Sequence, residues 1–374
     1  MQKLYFRSDG TFTILQVSDA QDMHFVRKTM LWMLDRGYEL VKPDLVLFTG
    51  DNILGNHLCD RRFGSGQLPL TAQQEAKRME RALGHILRQP EERNIPFAMI
   101  FGNHDDRNQL SKRQQLALWR RYACFTEGDT LDNGSGELAV CDRQTGARAY
   151  TLWLVDTARY RRADDCCEEC IEPQTVQWLR ERSAQIQAGA REKTIPSMVF
   201  LHIPLPAVLS LLQRTQTGVP APDGTLVSLN PQYARGVLRS YPSVVTDDGG
   251  LFDTLRTMGG VQAIVSGHDH NNCFVGSVDG IDLIQTSCAS FRCYGEKNLR
   301  GVRMIRLHRT GGYDTKFLSY VDLCGDTAIS RLRYFWDADE YEKKKAASLL
   351  AGGCAAVLAA GTGMAVTAIK RKNR

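Results

Sequence analysis

The stretch FTILQVSD, residues 12–19, shows the pattern that decides the fold: an apolar run that ends directly in a serine and an aspartate. In four later stretches an apolar run likewise ends in Asp, Asn or His, namely DLVLFTGDN at 44–52, PFAMIFGNHD at 96–105, SMVFLH at 197–202 and VQAIVSGHDH at 261–270. Each apolar run has the length and the β-branched or aromatic residues of a buried strand. Because ligands bind at the carboxyl ends of strands in α/β sheets, the sequence predicts that the five polar ends meet in one site.

The side chains at these strand ends are of the kinds that bind hard or borderline metal ions: Asp19, Asp51, Asn103, His202, His268 and His270. Carboxylate, amide oxygen and imidazole ligands favour Zn, Mn or Fe. Two such ions about 3.5–4 Å apart can stabilise both the attacking and the leaving oxygen of a displacement at phosphorus. A carboxylate that both ions share can hold them at this short distance, and Asp51 is the candidate for this bridging ligand. Any one of these residues could be a strand-end residue satisfied by local hydrogen bonds, but the ordered set indicates a metal site.

The order of these motifs resembles that of the calcineurin-like metallophosphoesterases, which carry D-x-H, G-D, G-N-H-D/E, a single H and G-H-x-H. The resemblance covers residues 12–322. The segments ILQVSD, FTGDNILG and IEPQTVQWL resemble the branch of small phosphatases related to plant purple acid phosphatases. The family implies a four-layer α/β/β/α sandwich, two divalent metal ions (Mn, Fe or Zn) and hydrolysis of a phosphoester, mono- or diester, by a metal-bound hydroxide.

The resemblance also implies a role for each matching residue. One ion would be held by Asp19, Asp51 and His270, and the other by Asp51, Asn103, His202 and His268. His104 would stabilise or protonate the leaving oxygen, with Asp105 as the carboxylate that orients it. An imidazole suits this role because it titrates near neutral pH.

One position departs from the family pattern, because Gln21 stands where D-x-H has its histidine. A glutamine oxygen can still bind a metal, but it is a harder and weaker ligand than imidazole, which favours Mn or Fe(II) over Zn. Asp22-Met23-His24 offers a second D-x-H three residues later. Asp19 is preferred because it follows the strand directly, and His24 could then enter the site as a substitute ligand or a phosphate contact.

The C-terminal part of the chain has a different composition. Seven Lys and Arg residues lie at 343–345 and 370–374, and removing them from the formal net charge of +5 leaves residues 1–342 at −2. This balance predicts no nucleic-acid partner. Between the two basic clusters, residues 348–369 carry no charge over 22 positions, long enough for a membrane-spanning helix. Upstream aromatic residues resemble interfacial anchors: Tyr334, Phe335, Trp336 and Tyr341.

These features predict a metallophosphoesterase domain at 1–330, a linker at 331–347, a transmembrane helix at 348–369 and a basic tail at 370–374. Small residues in the apolar segment would allow helix-mediated self-association. MQKLYFRSDGTF lacks the apolar region of a signal peptide, which predicts a cytoplasmic catalytic domain anchored by its C-terminal segment. Cys166, Cys167 and Cys170 could bind zinc or sense redox state, but a solvated loop is the preferred interpretation.

Apolar periodicity predicts helices over residues 26–42, 72–89, 111–122 and 173–188, and only strands after residue 272. The stretches 55–70 and 215–249 lack periodicity, so we expect them to be loops that wall the substrate pocket. His57 and Arg235 are candidate substrate contacts within them. The alternative to an enzyme is a weakly active or inactive scaffold that keeps the fold and recruits partners to a membrane.

Overall fold

The computed structural model describes residues 3–61, 66–107, 109–161, 166–189, 194–339 and 343, with the backbone alone for 159–161 and 166–168. The predicted transmembrane segment at 348–369 and the basic tail lie outside these ranges. Within them, no helix has both the length and the apolar character needed to cross a membrane.

The described chain alternates strands and helices in its first two thirds. The strands are β1 (Leu4–Tyr5), β2 (Thr11–Val17), β3 (Leu45–Thr49), β4 (Phe97–Ile100), β5 (Gly136–Cys141), β6 (Arg148–Val155), β7 (Arg159–Arg161), β8 (Cys166–Glu168), β9 (Ser197–Leu201), β10 (Leu212–Pro220), β11 (Leu226–Leu229), β12 (Ala234–Val237), β13 (Val261–Ser266), β14 (Cys273–Val278), β15 (Ile281–Gln285), β16 (Gly301–His308) and β17 (Tyr313–Ser319). The helices are α1 (Lys28–Val41), α2 (Ala72–Ile86), α3 (Arg88–Glu92), α4 (Lys112–Trp119), α5 (Pro173–Ala188), α6 (Leu251–Met258), α7 (Tyr320–Cys324) and α8 (Ala328–Asp337).

Two large sheets hold the five motif-bearing strands. One sheet has the order β17-β16-β2-β3-β4, and the other has the order β1-β5-β6-β9-β13-β15-β14-β12. Strands β2, β3 and β4 are parallel to one another, and so are β6, β9, β13 and β15. Parallel pairing brings the carboxyl ends of the motif strands to one edge of each sheet.

Three apolar layers separate four layers of secondary structure. Between the sheets lie residues such as Ile14, Phe200 and Val265, and each such side chain contributes about 1.5–3 kcal/mol by its burial. The outer face of the five-stranded sheet packs on α1, α2, α4, α7 and α8, and that of the eight-stranded sheet on α5 and α6. The predicted four-layer α/β/β/α sandwich is therefore confirmed.

Most predicted helices are present with small changes in their bounds. Helix α5 begins at Pro173, whose fixed φ suits the first helical position. The prediction over 72–89 falls on α2 and on the start of the short helix α3. The expectation of strands alone after residue 272 is wrong, because α7 and α8 follow β17.

The prediction of a loop over 215–249 is also wrong, since this stretch contains most of β10 and all of β11 and β12. Strands β10 and β11 pair antiparallel in a sheet of their own. Most residues of β10 are exposed. The strand therefore lacks the alternation of apolar and polar residues by which a half-buried strand is recognised in a sequence.

The predicted linker at 331–347 begins too early, because residues 331–337 belong to α8. The Asp337 carboxylate accepts a hydrogen bond of 2.9 Å from the Thr29 backbone N–H at the start of α1. The Tyr334 side chain of α8 is buried in the core, so the prediction that it anchors the chain at a membrane interface is wrong. The folded domain thus extends to the end of α8.

Candidate metal centre

The five strand ends meet at one point between the two sheets. Ligand atoms of Asp51, His202 and His268 all lie within 4.8 Å of one another. The Nε2 atom of His202 is 3.2 Å from Oδ1 of Asn103, and the Nε2 atom of His270 is 3.4 Å from Oδ1 of Asp19. The structure therefore brings the six predicted strand-end ligands together.

The backbone is bent sharply where these side chains leave their strands. Seven described residues other than glycine have a positive φ, and four of them are predicted ligands: Asp19 at 51°, Gln21 at 31°, Asp51 at 49° and His268 at 74°. Such conformations cost roughly 1–3 kcal/mol each and persist where the surrounding fold enforces them. Strained backbone of this kind tends to cluster at functional sites, and four of the seven positions fall here.

Glycines allow the strand ends to approach this closely. A Cβ at Gly102 would overlap the backbone nitrogen and the carboxylate of Asp51, and a Cβ at Gly267 would overlap the Ser18 hydroxyl. The glycines of the G-N-H-D and G-H-x-H motifs thus have a packing reason: only a residue without a side chain fits between two ligand-bearing loops.

Two imidazoles are held from behind by backbone carbonyls. His202 Nδ1 donates to the Thr49 carbonyl at 3.0 Å, and His270 Nδ1 donates to the Tyr294 carbonyl at 2.8 Å. The ring of Tyr294 also stacks on that of His270 with centroids 4.2 Å apart. Because a carbonyl only accepts, these bonds fix the proton on Nδ1 and point Nε2 into the centre, as in metal-binding histidines.

Buried Oε1 of Gln21 accepts no hydrogen bond, and Oδ1 of Asp19 has only the Nε2 atoms of His270 and His202 near it, at 3.4 and 3.9 Å. An unsatisfied buried acceptor costs about 1–3 kcal/mol, so native structures seldom keep one without a reason. Carboxylate, amide and imidazole groups that converge in this way fit a divalent cation, and this donor set matches Zn, Mn or Fe.

The ionisation of the site fits a cation as well. Burial lowers the pKa of His202, but the carboxylates of Asp51 and Asp19 outweigh burial and raise it to about 10. Burial and the neighbouring positive His202 lower the pKa of His268 to about 4. Burial acts to raise the pKa of Asp51, yet His202 and His104 hold it below its usual value. The carboxylates therefore stay ionised, and without a metal they keep a proton on His202.

His104 lies beside this cluster on the loop that follows β4. Its backbone N–H donates to Oδ1 of Asp51 at 2.8 Å, and its Nδ1 is 3.2 Å from Oδ1 of Asn56. Burial lowers the pKa of His104. Asn56 therefore holds the imidazole, and sequence analysis did not single this residue out.

Asp105 is predicted to orient His104, but its carboxylate contacts backbone N–H groups of the neighbouring loops. Its carboxylate accepts hydrogen bonds of 2.9 Å from the N–H groups of Ile53 and Gly102, and of about 3 Å from that of Asn52. Burial, with the charge of Asp51, raises the pKa of Asp105 to about 7 against these bonds. Asp105 thus ties the loop after β3 to the loop after β4, and its effect on His104 passes through the backbone.

The alternative register through Asp22 and His24 is not the one that the structure brings to the centre. The Asp22 carboxylate pairs with Arg292 and accepts from the Arg27 backbone N–H at 2.7 Å. The His24 ring packs edge-on against Phe25, with centroids 4.6 Å apart. Asp19 faces the histidines instead, because it leaves β2 directly.

A cavity of about 610 Å³ opens onto the centre and is lined by predicted ligands together with His104. His57 lies on its wall, and its Nδ1 is 2.8 Å from Oδ2 of Asp60. Several other lining residues follow no motif that the sequence could reveal, among them Arg27, Arg292 and Tyr294.

Arg235 lies elsewhere, so its prediction as a substrate contact is wrong. It lines a separate cavity of about 580 Å³ with Gln262, Asp282 and Tyr313. Strand β12, which carries Arg235, is at the outer edge of its sheet, three strands from β13. At about 4.8 Å per strand, this is roughly 14 Å from the strand that ends in the G-H-x-H motif. The Cys166 and Cys167 side chains lie outside the described residues, and Cys170 forms an isolated bridge with Asp247.

Comparison with known proteins gives the class to which this fold and site belong. The profile of the calcineurin-like phosphoesterases matches residues 12–272, and the chain belongs to that family. Phosphoesterases of this family use divalent metal ions.

The chain is similar to two curated relatives and to one solved structure over 63% to 83% of its length. The Arabidopsis thaliana protein named probable inactive purple acid phosphatase 28 is 28% identical over 355 residues, which are 83% of this chain and 79% of that protein. Phosphatase DCR2 of Saccharomyces cerevisiae is 29% identical over 248 residues, 63% of this chain and 37% of that protein. A dimetal phosphatase from Danio rerio is 13% identical with a TM-score of 0.48, covering 83% of this chain and 99% of that one.

Proposed function

We propose that this chain hydrolyses a phosphomonoester or phosphodiester with two divalent metal ions bound at the five strand ends. The observation that carries the proposal is the convergence of ligand atoms of Asp51, His202 and His268 within 4.8 Å, beside the buried Oε1 of Gln21 that accepts no hydrogen bond. A scaffold without metal would leave this strained backbone and this unsatisfied acceptor without a function.

We assign the residues to two ligand sets that share Asp51. Asp19, Gln21 and His270 would complete one set, and Asn103, His202 and His268 the other. Bound divalent ions would supply Lewis-acid stabilisation of phosphoryl oxygens and lower the pKa of a water so that it attacks phosphorus at neutral pH. The chain itself orients these ligands through the Thr49 and Tyr294 carbonyls.

His104 would serve the leaving oxygen. Its Nδ1 is engaged by Asn56, so Nε2 is the atom left to face a substrate in the cavity. Burial lowers the pKa of His104 in the substrate-free chain. A negatively charged phosphoryl group beside the imidazole would raise this pKa, and the protonated ring could then donate to the leaving group.

Positive groups on the cavity wall could bind the rest of the phosphoester. The Arg27 side chain lies 4.0 Å from Asp337, and its buried Nε atom has no hydrogen-bond partner. Arg292 is already committed to Asp22 and to the Phe25 carbonyl. Arg27 is therefore the better candidate for a phosphate contact, and His57 also lines the cavity.

The relatives' names favour a second candidate, a catalytically inactive scaffold, because the protein matched over 83% of this chain is named as probably inactive. Assays on p-nitrophenyl phosphate and its bis ester, after loading with Mn, Fe or Zn, decide between the two. The enzyme predicts turnover that is lost on chelation and in Asp51→Asn but kept in Asp253→Asn, a matched change at an exposed position on α6. No turnover on either ester with any of the metals would support the scaffold.

We also propose that residues 348–369 anchor the chain in a membrane with the catalytic domain in the cytoplasm. The support is the uncharged 22-residue segment between two basic clusters. Full-length protein should resist alkaline carbonate extraction, and a chain that ends at Lys345 should be released and keep its activity. Extraction of the full-length chain without detergent would contradict the anchor.

A further inference from the structure

Helix α8 presents an apolar surface on the side that faces away from the protein. Ser330, Tyr334 and Asp337 point inward and are buried. Ile329, Leu332 and Trp336 are 67%, 66% and 75% exposed, and their i, i+3, i+7 spacing places them on the opposite side of the helix. A surface helix ordinarily carries polar residues there.

The concentration of exposed apolar side chains on α8 is unusual for this protein. Seven large hydrophobic residues are exposed in the part of the chain that the structure describes, and four of them lie on this ten-residue helix: Ile329, Leu332, Phe335 and Trp336. Single exposed apolar residues are normal, whereas a contiguous group marks an interaction surface.

The helix is held firmly, so the apolar surface has a fixed orientation. The Tyr320 hydroxyl donates to the Ser330 carbonyl at 2.7 Å, and the Arg333 guanidinium lies 4.6 Å from the centre of the Trp32 ring. With the bond from Thr29 to Asp337, these contacts fix both the first and the last turn of α8. The outward surface is therefore built into the fold.

The composition around α8 indicates what would cover this surface. Arg331 pairs with Asp326, and Asp337, Asp339, Glu340 and Glu342 precede Lys343, Lys344 and Lys345, so the charges around the helix balance. An apolar stripe with tryptophan has the chemistry of a helix that lies in the interface of a bilayer. The uncharged segment 348–369 begins eleven residues after α8 ends, so the chain itself supplies a reason for a bilayer to be near.

We propose that the outward face of α8, formed by Ile329, Leu332 and Trp336, docks into the headgroup region of a lipid bilayer. Ala338 and Asp339 directly follow α8 and line the metal cavity. Docking would therefore place this part of the cavity wall near the membrane, and it would do so whether or not the chain hydrolyses a phosphoester.

Tryptophan fluorescence tests the docking directly. The full chain is reconstituted into vesicles of phosphatidylcholine and phosphatidylserine, with and without phosphatidylcholine brominated on its acyl chains. The chain has five tryptophans, so Trp336→Phe isolates the contribution of the one on α8. Ile329→Ser with Leu332→Ser keeps Trp336 but removes its apolar neighbours, and Tyr233→Ser, at an exposed residue beside the other sheet, is the matched control.

If α8 docks, brominated lipid should quench the tryptophan fluorescence of the native chain and of the Tyr233→Ser variant equally. Trp336→Phe should lose most of the quenching, and the Ile329→Ser, Leu332→Ser variant should lose at least half. Equal quenching in Trp336→Phe and the native chain would overturn the proposal. Shielding of the Trp336 fluorescence from acrylamide before lipid is added would also overturn the proposal. A second copy or the segment 348–369 would then cover the helix.

Discussion

The side-chain nitrogen Nε2 of Gln21 donates a hydrogen bond of 2.6 Å to Oδ2 of Asp51, the carboxylate at the centre of the site. The other end of the same amide, Oε1, is buried without a partner. Gln21 therefore contacts the expected bridging ligand even though the family pattern has a histidine at this position. A half-turn of the amide would exchange its nitrogen for its oxygen and offer that oxygen to a cation beside Asp51.

This relationship predicts the metal preference of the site. Gln21→His should raise the ratio of zinc to manganese retained after loading with equal amounts of both, because imidazole is a softer and stronger ligand than an amide oxygen. Elemental analysis measures the ratio, and Gln144→His, at an exposed turn, is the control. Unchanged metal content and ratio in Gln21→His would mean that Gln21 is not a ligand.

Removal of the His104 imidazole should separate metal binding from turnover. His104→Ala should keep its metals, because the contact of His104 with Asp51 runs through the backbone N–H. Turnover should fall by about 10²–10⁴-fold, the usual effect of losing a general acid. His57→Ala should change kcat much less, since His57 lies on the cavity wall. A fall of tenfold or less in His104→Ala would argue against the proposed role.

Metal binding should release protons at neutral pH. The pKa of His202 is raised to about 10, so at pH 7 the metal-free chain carries a proton that a cation must displace. The affinity for metal should therefore rise as pH increases from 6 towards this pKa. Titration calorimetry in buffers of different ionisation enthalpy should detect net proton release, to which His270 would also contribute since, against the effect of burial, its contact with Asp19 helps to raise its pKa. An affinity that is flat with pH would contradict the assignment.

Lys112 should stabilise the fold in a pH-dependent way. Its ammonium group is buried, 2.5 Å from Asp156 and 3.2 Å from Asp106, and it joins the loop after β4 to the end of β6. Burial raises the pKa of Asp156 to about 7 and that of Asp106 to about 6, even with Lys112 beside them. Both pKa values exceed those of an unfolded chain, so these carboxyls lower stability as pH rises from about 4 to 7.

Without the Lys112 ammonium group, the decrease in stability with rising pH should be larger. Lys112→Met should lower the free energy of unfolding by roughly 3–5 kcal/mol at pH 8, where both carboxylates are ionised, and by less at pH 5, where they can take up protons. Denaturant unfolding at the two pH values measures the difference, with Lys316→Met on exposed β17 as the control. An equal loss at pH 5 and pH 8 would show that the charge of Lys112 is not what stabilises this contact.

The sandwich implied by the family motifs is confirmed, and the side chains predicted to meet at the strand ends do lie together, because both depend on buried strands that end in polar residues; metal binding by these side chains stays a prediction. Asp51, His202 and His268 could be placed together because parallel strands share one carboxyl edge. Arg235 could not be placed, since its strand pairs at the far edge of the sheet through an order that does not follow the chain.

Contacts made by irregular backbone were also hidden from the sequence. Asn56 reaches His104 from a short 3₁₀ turn, and Tyr294 holds His270 through its main-chain carbonyl, which any residue type could supply. The outward apolar face of α8 was missed for another reason: Tyr334, Phe335 and Trp336 are adjacent in sequence, and only the orientation of the helix shows which of them is buried.

The number of metal ions per chain, measured by elemental analysis together with turnover on p-nitrophenyl phosphate, tests the central claim most directly. The proposed centre predicts two ions in the native chain, with metal and turnover both largely lost in Asp51→Asn and both kept in Asp253→Asn. One ion or none in the native chain, with no turnover on any phosphoester, would contradict it.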